Sequence, residues 1–279
     1  MNGKTEQSEK IEDIVLRHSG RGMDILRKDM QDDYAAKAAK MILSWDKGNV
    51  FLTTGFYVEG YAETDGPPGT AFLALALKKL GFNPIIITDK FAENFFNLDG
   101  IQTITMPFDE AEAWCRNLLA KYQPVGLISV ERCGKNDEDK YANMRGVCIN
   151  EYTAKIDDLF EIAYGHIPTI GVGDGGNEIG MGNEASVIHD KLSLSPCMVK
   201  VSQLVIATVS NWGAYAIVAY LQKFSGQTVY MNFDDVYNYI SQIVDEGSVD
   251  GVLKQHIIGV DGFDMTVERE IIEALEAAI

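Results

Sequence analysis

The sequence predicts an α/β protein: a mostly parallel sheet with helices on both faces, a three-layer α/β/α arrangement. Two observations predict it. Short, continuous apolar runs alternate with longer segments whose apolar residues recur at helical spacing, and strands apolar on both faces belong to buried parallel sheets. Glycine and polar clusters follow directly after the apolar runs, where an α/β sheet collects its chemistry.

Residues 1–33 are polar and charged and are expected to form a helical arm lying on a single α/β domain of residues 34–279, with Gly20 and Gly22 marking a loop. Tyr34, Ala38, Met41, Ile42 and Trp45 then share one helical face. Val50 to Leu52 reads as a strand, Thr70 to Leu80 as a helix stopped by Gly81, Pro84 to Ile87 and Ile101 to Met106 as strands. Ala111, Trp114, Cys115, Leu118, Leu119 and Tyr122 line one helix face. Val125 to Val130 is a strand, Ile156 to Tyr164 a helix, Thr169 to Val172 a strand, and Leu204 to Val209 another. Trp212 to Phe224 is an apolar helix with little polar face, expected to be buried or to form a subunit interface. Ile257 to Val260 is a last strand before a helix with Val267, Ile271, Ile272 and Leu275 on one side. An insertion is expected around Asn136 to Asn150.

The most informative stretch follows the Thr169 run. Gly171 to Gly182 contains six glycines around Asp174, Asn177 and Glu178. So much glycine forms neither a helix nor a strand core, so the segment is a loop whose backbone approaches something. Gly171, Gly173 and Gly176 satisfy a G-x-G-x-x-G pattern, but Asp174 would stand where a pyrophosphate needs backbone N–H groups. Gly180 and Gly182 follow where a fingerprint helix should propagate. The chain therefore reads as Rossmann-like without being a dinucleotide binder, and no nucleotide cofactor is expected.

The chain of 279 residues carries a net charge of -17, which argues against nucleic acid and against an anionic membrane surface. It also means that a small anionic substrate would need a local cation, Arg or a metal. Cys115, Cys133, Cys148 and Cys197 lack paired metal spacing and read as reduced thiols of a cytoplasmic protein. Cys133, beside a motif, is the one candidate nucleophile among them. Met1 to Lys10 has no apolar signal region, and no run approaches membrane-spanning length. The four histidines are scattered and read as surface or capped residues.

If the strands are parallel, the clusters Thr53-Thr54-Gly55, Glu63 to Gly69, Glu131-Arg132, Asp174 to Glu178, Ser210-Asn211 and Asp261-Gly262 surround one crevice. Gly66-Pro67-Pro68-Gly69 is a stiff turn before a helix, capped by Thr70 or offering free N–H groups to an anion. Glu63 and Asp65 alternate, so on extended chain both point one way, to bind a cation or share a proton. Arg132 and Arg145 would clamp a substrate carboxylate or pair with a neighbouring acid. Ser210 reads equally as an N-cap and as a ligand.

Six runs together resemble the D-glutamate cyclase family, specifically its C-terminal domain: Glu63 to Gly69, Glu131-Arg132-Cys133-Gly134, Asn143-Met144-Arg145-Gly146, Gly173 to Gly182, Ser210 to Gly213, and Asp261-Gly262. The resemblance implies conversion of D-glutamate to 5-oxo-D-proline with loss of water, the work of a carbon-oxygen lyase. Such chemistry asks for a carboxylate base, Glu131 or Glu63, among Glu63, Asp65, Glu131 and Asp174 as the reacting set. Asp65, Asp174 and Glu178 would hold Mg2+ or Mn2+ through oxygen. Arg132 or Arg145 would take the α-carboxylate, with Asn143, Gly175, Asn177 and Asn211 as further substrate contacts. A metal-dependent phosphate-ester hydrolase and an amino-acid sensor without turnover remain alternatives, and a homodimer or higher homo-oligomer is expected.

Overall fold

The computed structural model describes residues 9–192 and 194–279. Six strands form one parallel sheet: β1 (Asn49–Thr53), β2 (Asn83–Thr88), β3 (Gln102–Thr105), β4 (Gly126–Val130), β5 (Thr169–Gly173) and β6 (Gln203–Ile206), in the order β3-β2-β1-β4-β5-β6. β1 pairs in register with β2 on one side (Leu52 opposite Ile86) and β4 on the other (Leu52 opposite Ile128). The chain therefore leaves β1 in one direction and β4 in the other. That reversal opens a crevice above the carboxyl ends of the strands.

The arm holds two short helices, α1 (Ile11–Ile14) and α2 (Met23–Leu26), and is anchored by apolar residues, including Val15, Met23 and Leu26, buried against the body. The remaining helices are α3 (Tyr34–Ser44), α4 (Pro67–Lys79), α5 (Glu112–Tyr122), α6 (Asp157–Ala163), α7 (Ala185–Leu192), α8 (Ser210–Ser225), α9 (Phe233–Asp245) and α10 (Met265–Ala278). α4 packs on α8 and α9, and α8 also packs on α3 and α10, whereas α5 packs on α6. Right-handed crossovers put these two sets on opposite faces of the sheet. The three-layer arrangement predicted from alternation is the one observed.

Three elements differ from expectation. α9, whose Val236, Tyr239, Ile240 and Ile243 are buried at helical spacing, begins where Asn232 Oδ1 accepts from the Asp235 N–H at 2.9 Å. It occupies a stretch for which the sequence reading placed no element. The expected strand at Ile257 to Val260 shrinks to Gly259–Val260, paired antiparallel with Phe263–Asp264 outside the main sheet. Asp261 thus reaches the crevice from a hairpin turn rather than from a strand end. α8 is covered within the chain, so its apolar surface needs no second subunit.

Candidate active site

Two helices begin at the crevice, and each is capped by the other's neighbour. Asp65 precedes α4, and its carboxylate accepts the first N–H groups of α8, from Ser210 and Asn211, both at 2.8 Å. Asn211 reciprocates: its Oδ1 accepts from the N–H groups of Gly66 (2.9 Å) and Gly69 (2.8 Å) at the start of α4. α4 begins at Pro67, earlier than expected, because proline in the first turn lacks only an N–H that would find no helical partner. Gly66 is held at φ +97°, and a Cβ there would collide with Thr54 Oγ1 and the Glu131 side chain. The α4 N-terminus is therefore occupied by Asn211 and not offered to an anion, and the hydroxyl of Thr70 is buried without a partner instead of capping.

Glu131 follows β4 at φ +46°, in the left-handed region that a non-glycine residue enters at a cost. This bend turns its carboxylate over the sheet edge, where it accepts from Ser210 Oγ at 2.5 Å. Ser210 is thus neither the N-cap nor an open ligand. Asp174 follows β5, and oxygen atoms of Asp65, Glu131 and Asp174 all lie within 4.8 Å of one another. Glu63, buried, lines a cavity together with Glu131 and Asp174.

Burial raises the proton affinity of the whole group. The Asp65 carboxyl is pushed up to about 7, first by burial and then by the Asp261 charge. Glu63 is raised well above the usual carboxylate range by burial, with Asp261 and Asp65 adding repulsion. Glu131 rises for the same reason, with Glu178 and Asp65 adding repulsion. Asp174 also rises through burial, although Arg21 opposes the shift.

Arg21 was not anticipated as a site residue. It reaches in from the arm and donates to Asp174, to Asp261, and to the Thr208 carbonyl at 3.1 Å. No local pattern marks it, because its partners lie far along the chain. The expected arm gave only its location near the domain.

The other expected site residues divide. Glu63, Glu131, Asn143, Arg145, Asp174 and Asn177 line one cavity of about 400 Å³, joined by Asp261. Asn177 Oδ1 is buried there without a hydrogen-bond partner. Asn143 Oδ1 is engaged by the N–H groups of Arg145 (2.9 Å) and Val147 (3.1 Å), so it shapes the loop that carries the exposed Arg145.

Four expected contacts lie elsewhere. Arg132 is buried, paired with Asp89 Oδ2 at 2.6 Å and donating to the Ala154 carbonyl at 2.8 Å. It ties β4 to the loop after β2 and does not line the cavity, because its two terminal nitrogens are held by Asp89 and by the Gly55 and Ala154 carbonyls. Glu178 folds back onto its own loop and accepts from the Gly175 and Gly176 N–H groups, both at 2.7 Å. Its oxygens are thereby spent on the glycine loop, and Glu131 stands in its place beside Asp65 and Asp174. The Gly175 N–H is consumed by the same bond and faces no ligand. Asn211 is fully buried beneath the cavity as the α4 cap.

Gly171 is glycine because a Cβ there would strike the Ile179 carbonyl, which closes the loop onto β5. Cys133 is buried, with its thiol pushed up by burial and donating to the Ala142 carbonyl at 3.5 Å, which removes it as a nucleophile. Larger hollows of about 620 and 660 Å³ lie near Phe96 and Lys135, and neither gathers buried carboxylates.

A parallel sheet with a buried carboxylate cluster at its reversal point defines an α/β protein with an acidic crevice. The chain belongs to the family described as D-glutamate cyclase-like, C-terminal, which matches residues 11–276. It is 31% identical to the human protein named D-glutamate cyclase, mitochondrial, over 77% of this chain and 41% of that protein. The chain thus spans under half the length of that relative. Among solved structures it is similar to an epimerase, Mth375, from Methanothermobacter thermautotrophicus (TM-score 0.34, 10% identity, 63% of this chain and 55% of the other). It is also similar to a UDP-glucose 4-epimerase from Brucella ovis in complex with NAD (TM-score 0.30, 13% identity, 57% and 50%). Similarity at that level carries nothing about ligand or reaction. Among the described residues no helix is long and apolar enough to cross a membrane.

Proposed function

We propose that this chain is a carbon-oxygen lyase of D-glutamate cyclase type, closing D-glutamate to 5-oxo-D-proline with loss of water. The observation that carries the reading is the convergence of Glu63, Asp65, Glu131 and Asp174 in and beneath one cavity, with Asp65, Glu131 and Asp174 within 4.8 Å of one another.

Ring closure joins the substrate amine to its own γ-carbon. Both reacting atoms belong to one molecule, so the protein chiefly has to hold it folded. The amine must lose a proton, and Glu63, whose proton affinity is raised by burial, supplies a carboxylate base at the cavity wall. Arg145, exposed at the cavity, would receive the α-carboxylate, while Arg21 is engaged by Asp174 and Asp261.

The oxygen-only donor set of Asp65, Glu131 and Asp174 suits Mg2+ or Mn2+. The buried Thr54 Oγ1, beside Glu131 and without a partner, is a further oxygen in the same corner. A divalent cation held there would supply charge neutralisation and polarisation of the γ-carboxylate.

The test is incubation of the purified chain with D- and L-glutamate and with phosphate esters, with and without Mg2+ or Mn2+, following 5-oxoproline and phosphate. Formation of 5-oxoproline that Asp174→Asn abolishes is expected. A folded, metal-loaded protein that leaves D-glutamate uncyclised would overturn the reading, and phosphate release would replace it with a hydrolase.

A further inference from the structure

Arg132 and Arg21 answer buried acids in different ways. Arg132 is 1% exposed and uses both terminal nitrogens, on Asp89 and on the Gly55 and Ala154 carbonyls. Arg21 is 28% exposed, and its bonds to the described residues all leave from Nη2, which serves Asp174 Oδ2, Asp261 Oδ2 and the Thr208 carbonyl. That nitrogen carries two hydrogens, so three acceptors share two donors. The fork with which arginine grips a carboxylate through two parallel bonds is not used.

The backbone around Arg21 can move locally. Val15 and Met23 are fully buried on either side of residues 16–22, and the Thr208 N–H donates to the Val15 carbonyl at 2.8 Å. Between these anchors every residue is at least partly exposed, and His18 and Gly22 turn the chain at φ +60° and +89°. Residues 16–22 can therefore shift without uncovering the apolar residues that fix the arm.

Asp174 is one of the three acids whose oxygens lie within 4.8 Å of one another. Asp65 is held there by the Ser210 and Asn211 N–H groups, and Glu131 by the Ser210 hydroxyl, all neutral donors. Asp174 is the member held by a cationic side chain. A divalent cation seated among these oxygens would lie about 2.0–2.6 Å from each. Whichever oxygen of Asp174 it took, the guanidinium on the same carboxylate would stand within a few ångströms, where like charges repel strongly.

We propose that Arg21 is a resident counter-ion that a divalent cation displaces from Asp174, so that cation binding and the seating of residues 16–22 on the crevice oppose one another. The proposal rests on the Mg2+ or Mn2+ seat of the proposed function and adds a competitor for it. The coupling is reciprocal: whatever weakens the hold of Arg21 on Asp174 strengthens that of the cation. Asp174 thereby keeps a positive partner in either state, a single charge from the arm or a double charge from solution.

The experiment titrates Mn2+ into the parent and into Arg21→Ala, Arg21→Gln and Arg21→Lys by calorimetry, and follows backbone hydrogen exchange of the parent with and without Mn2+. Arg21→Ala and Arg21→Gln should bind Mn2+ about tenfold more tightly than the parent, and Arg21→Lys, which keeps the charge, should stay near the parent. Mn2+ should speed exchange at residues 16–22 of the parent and leave Val15 and Met23 protected. Equal or weaker binding by Arg21→Ala and Arg21→Gln overturns the competition and leaves the cation seat standing. Mn2+ binding to the parent with exchange at residues 16–22 unchanged overturns the displacement. Absence of Mn2+ binding in the parent and in Arg21→Ala overturns both this proposal and the cation seat, while the ring closure is judged separately by 5-oxoproline formation.

Discussion

At Arg21 a single side chain from the arm balances buried acids contributed by distant parts of the chain. Burial alone would weaken its hold on a proton, but Asp174 and Asp261 outweigh that and raise it well above the ordinary arginine range. Arg21→Ala leaves Asp174 and Asp261 buried with no counter-ion. Removing one partner of a buried pair costs about 3–5 kcal/mol; Arg21 keeps 28% exposure, so a loss nearer about 1–3 kcal/mol at neutral pH is expected in urea unfolding. Millimolar Mg2+ or Mn2+ should restore more stability to this variant than to the parent, since a bound cation would neutralise the same carboxylates. An Arg21→Ala protein as stable as the parent, with or without cation, would show that the acids are neutral without it. Glu63, Asp65 and Asp174 were legible as chemistry because acids beside glycines after apolar runs are uncommon. Arg21 was not, because nothing local distinguishes it from any exposed arginine.

At the scale of elements, the crevice is held by the paired starts of α4 and α8. Asn211→Ala removes the acceptor for the Gly69 N–H and the Nδ2 donor to the Thr64 carbonyl, both buried, while the Gly66 N–H keeps Asp65 Oδ1 at 2.8 Å. At about 1–3 kcal/mol for each unsatisfied buried group, a loss of at least about 2 kcal/mol is expected. Thermal unfolding would read it, and a change under about 0.5 kcal/mol, the size of an ordinary surface substitution, would contradict the cap. α8 is also joined to α10, where Trp212 Nε1 donates to Glu268 Oε2 at 2.6 Å. Burial pushes the Glu268 carboxyl from 4.5 up to about 7. Its folded proton affinity exceeds the unfolded one, so its contribution to stability is complete below pH 4.5 and is lost as the pH rises through about 7. Glu268→Gln should flatten this part of the pH profile, whose slope is at most about 1.4 kcal/mol per pH unit. A profile unchanged by the substitution would show that Glu268 stays charged in the fold. The element starts and ends were legible where proline, glycine and apolar spacing agree. The short hairpin at Gly259–Val260 was misread as a strand of the main sheet, because an apolar run carries no sign of its partner. α9 shows the opposite failure: Val236, Tyr239, Ile240 and Ile243 stand at helical spacing in the sequence, yet no element was expected there.

Over the whole molecule, a net charge of -17 makes self-repulsion a general term that salt screens. The melting temperature should rise as NaCl is increased from low to physiological ionic strength, and a fall would mean that the attractive pairs dominate. Divalent cations should stabilise more than NaCl of equal ionic strength if the carboxylate cluster binds them. Alternation of apolar strands with helical segments, and polar clusters after the strands, determined the layered α/β class and the edge of the sheet that bears the site, because these are local patterns of burial and backbone freedom. Only the tertiary structure decided which acids meet. Glu178 turns back onto its own loop and Asn211 caps a neighbouring helix, while Arg132 ties down a strand and Glu131, Asp261 and Arg21 enter the cavity. The physical reason is that a buried polar group takes whatever partner the packed chain brings within reach, and that partner is set by contacts between residues far apart in sequence.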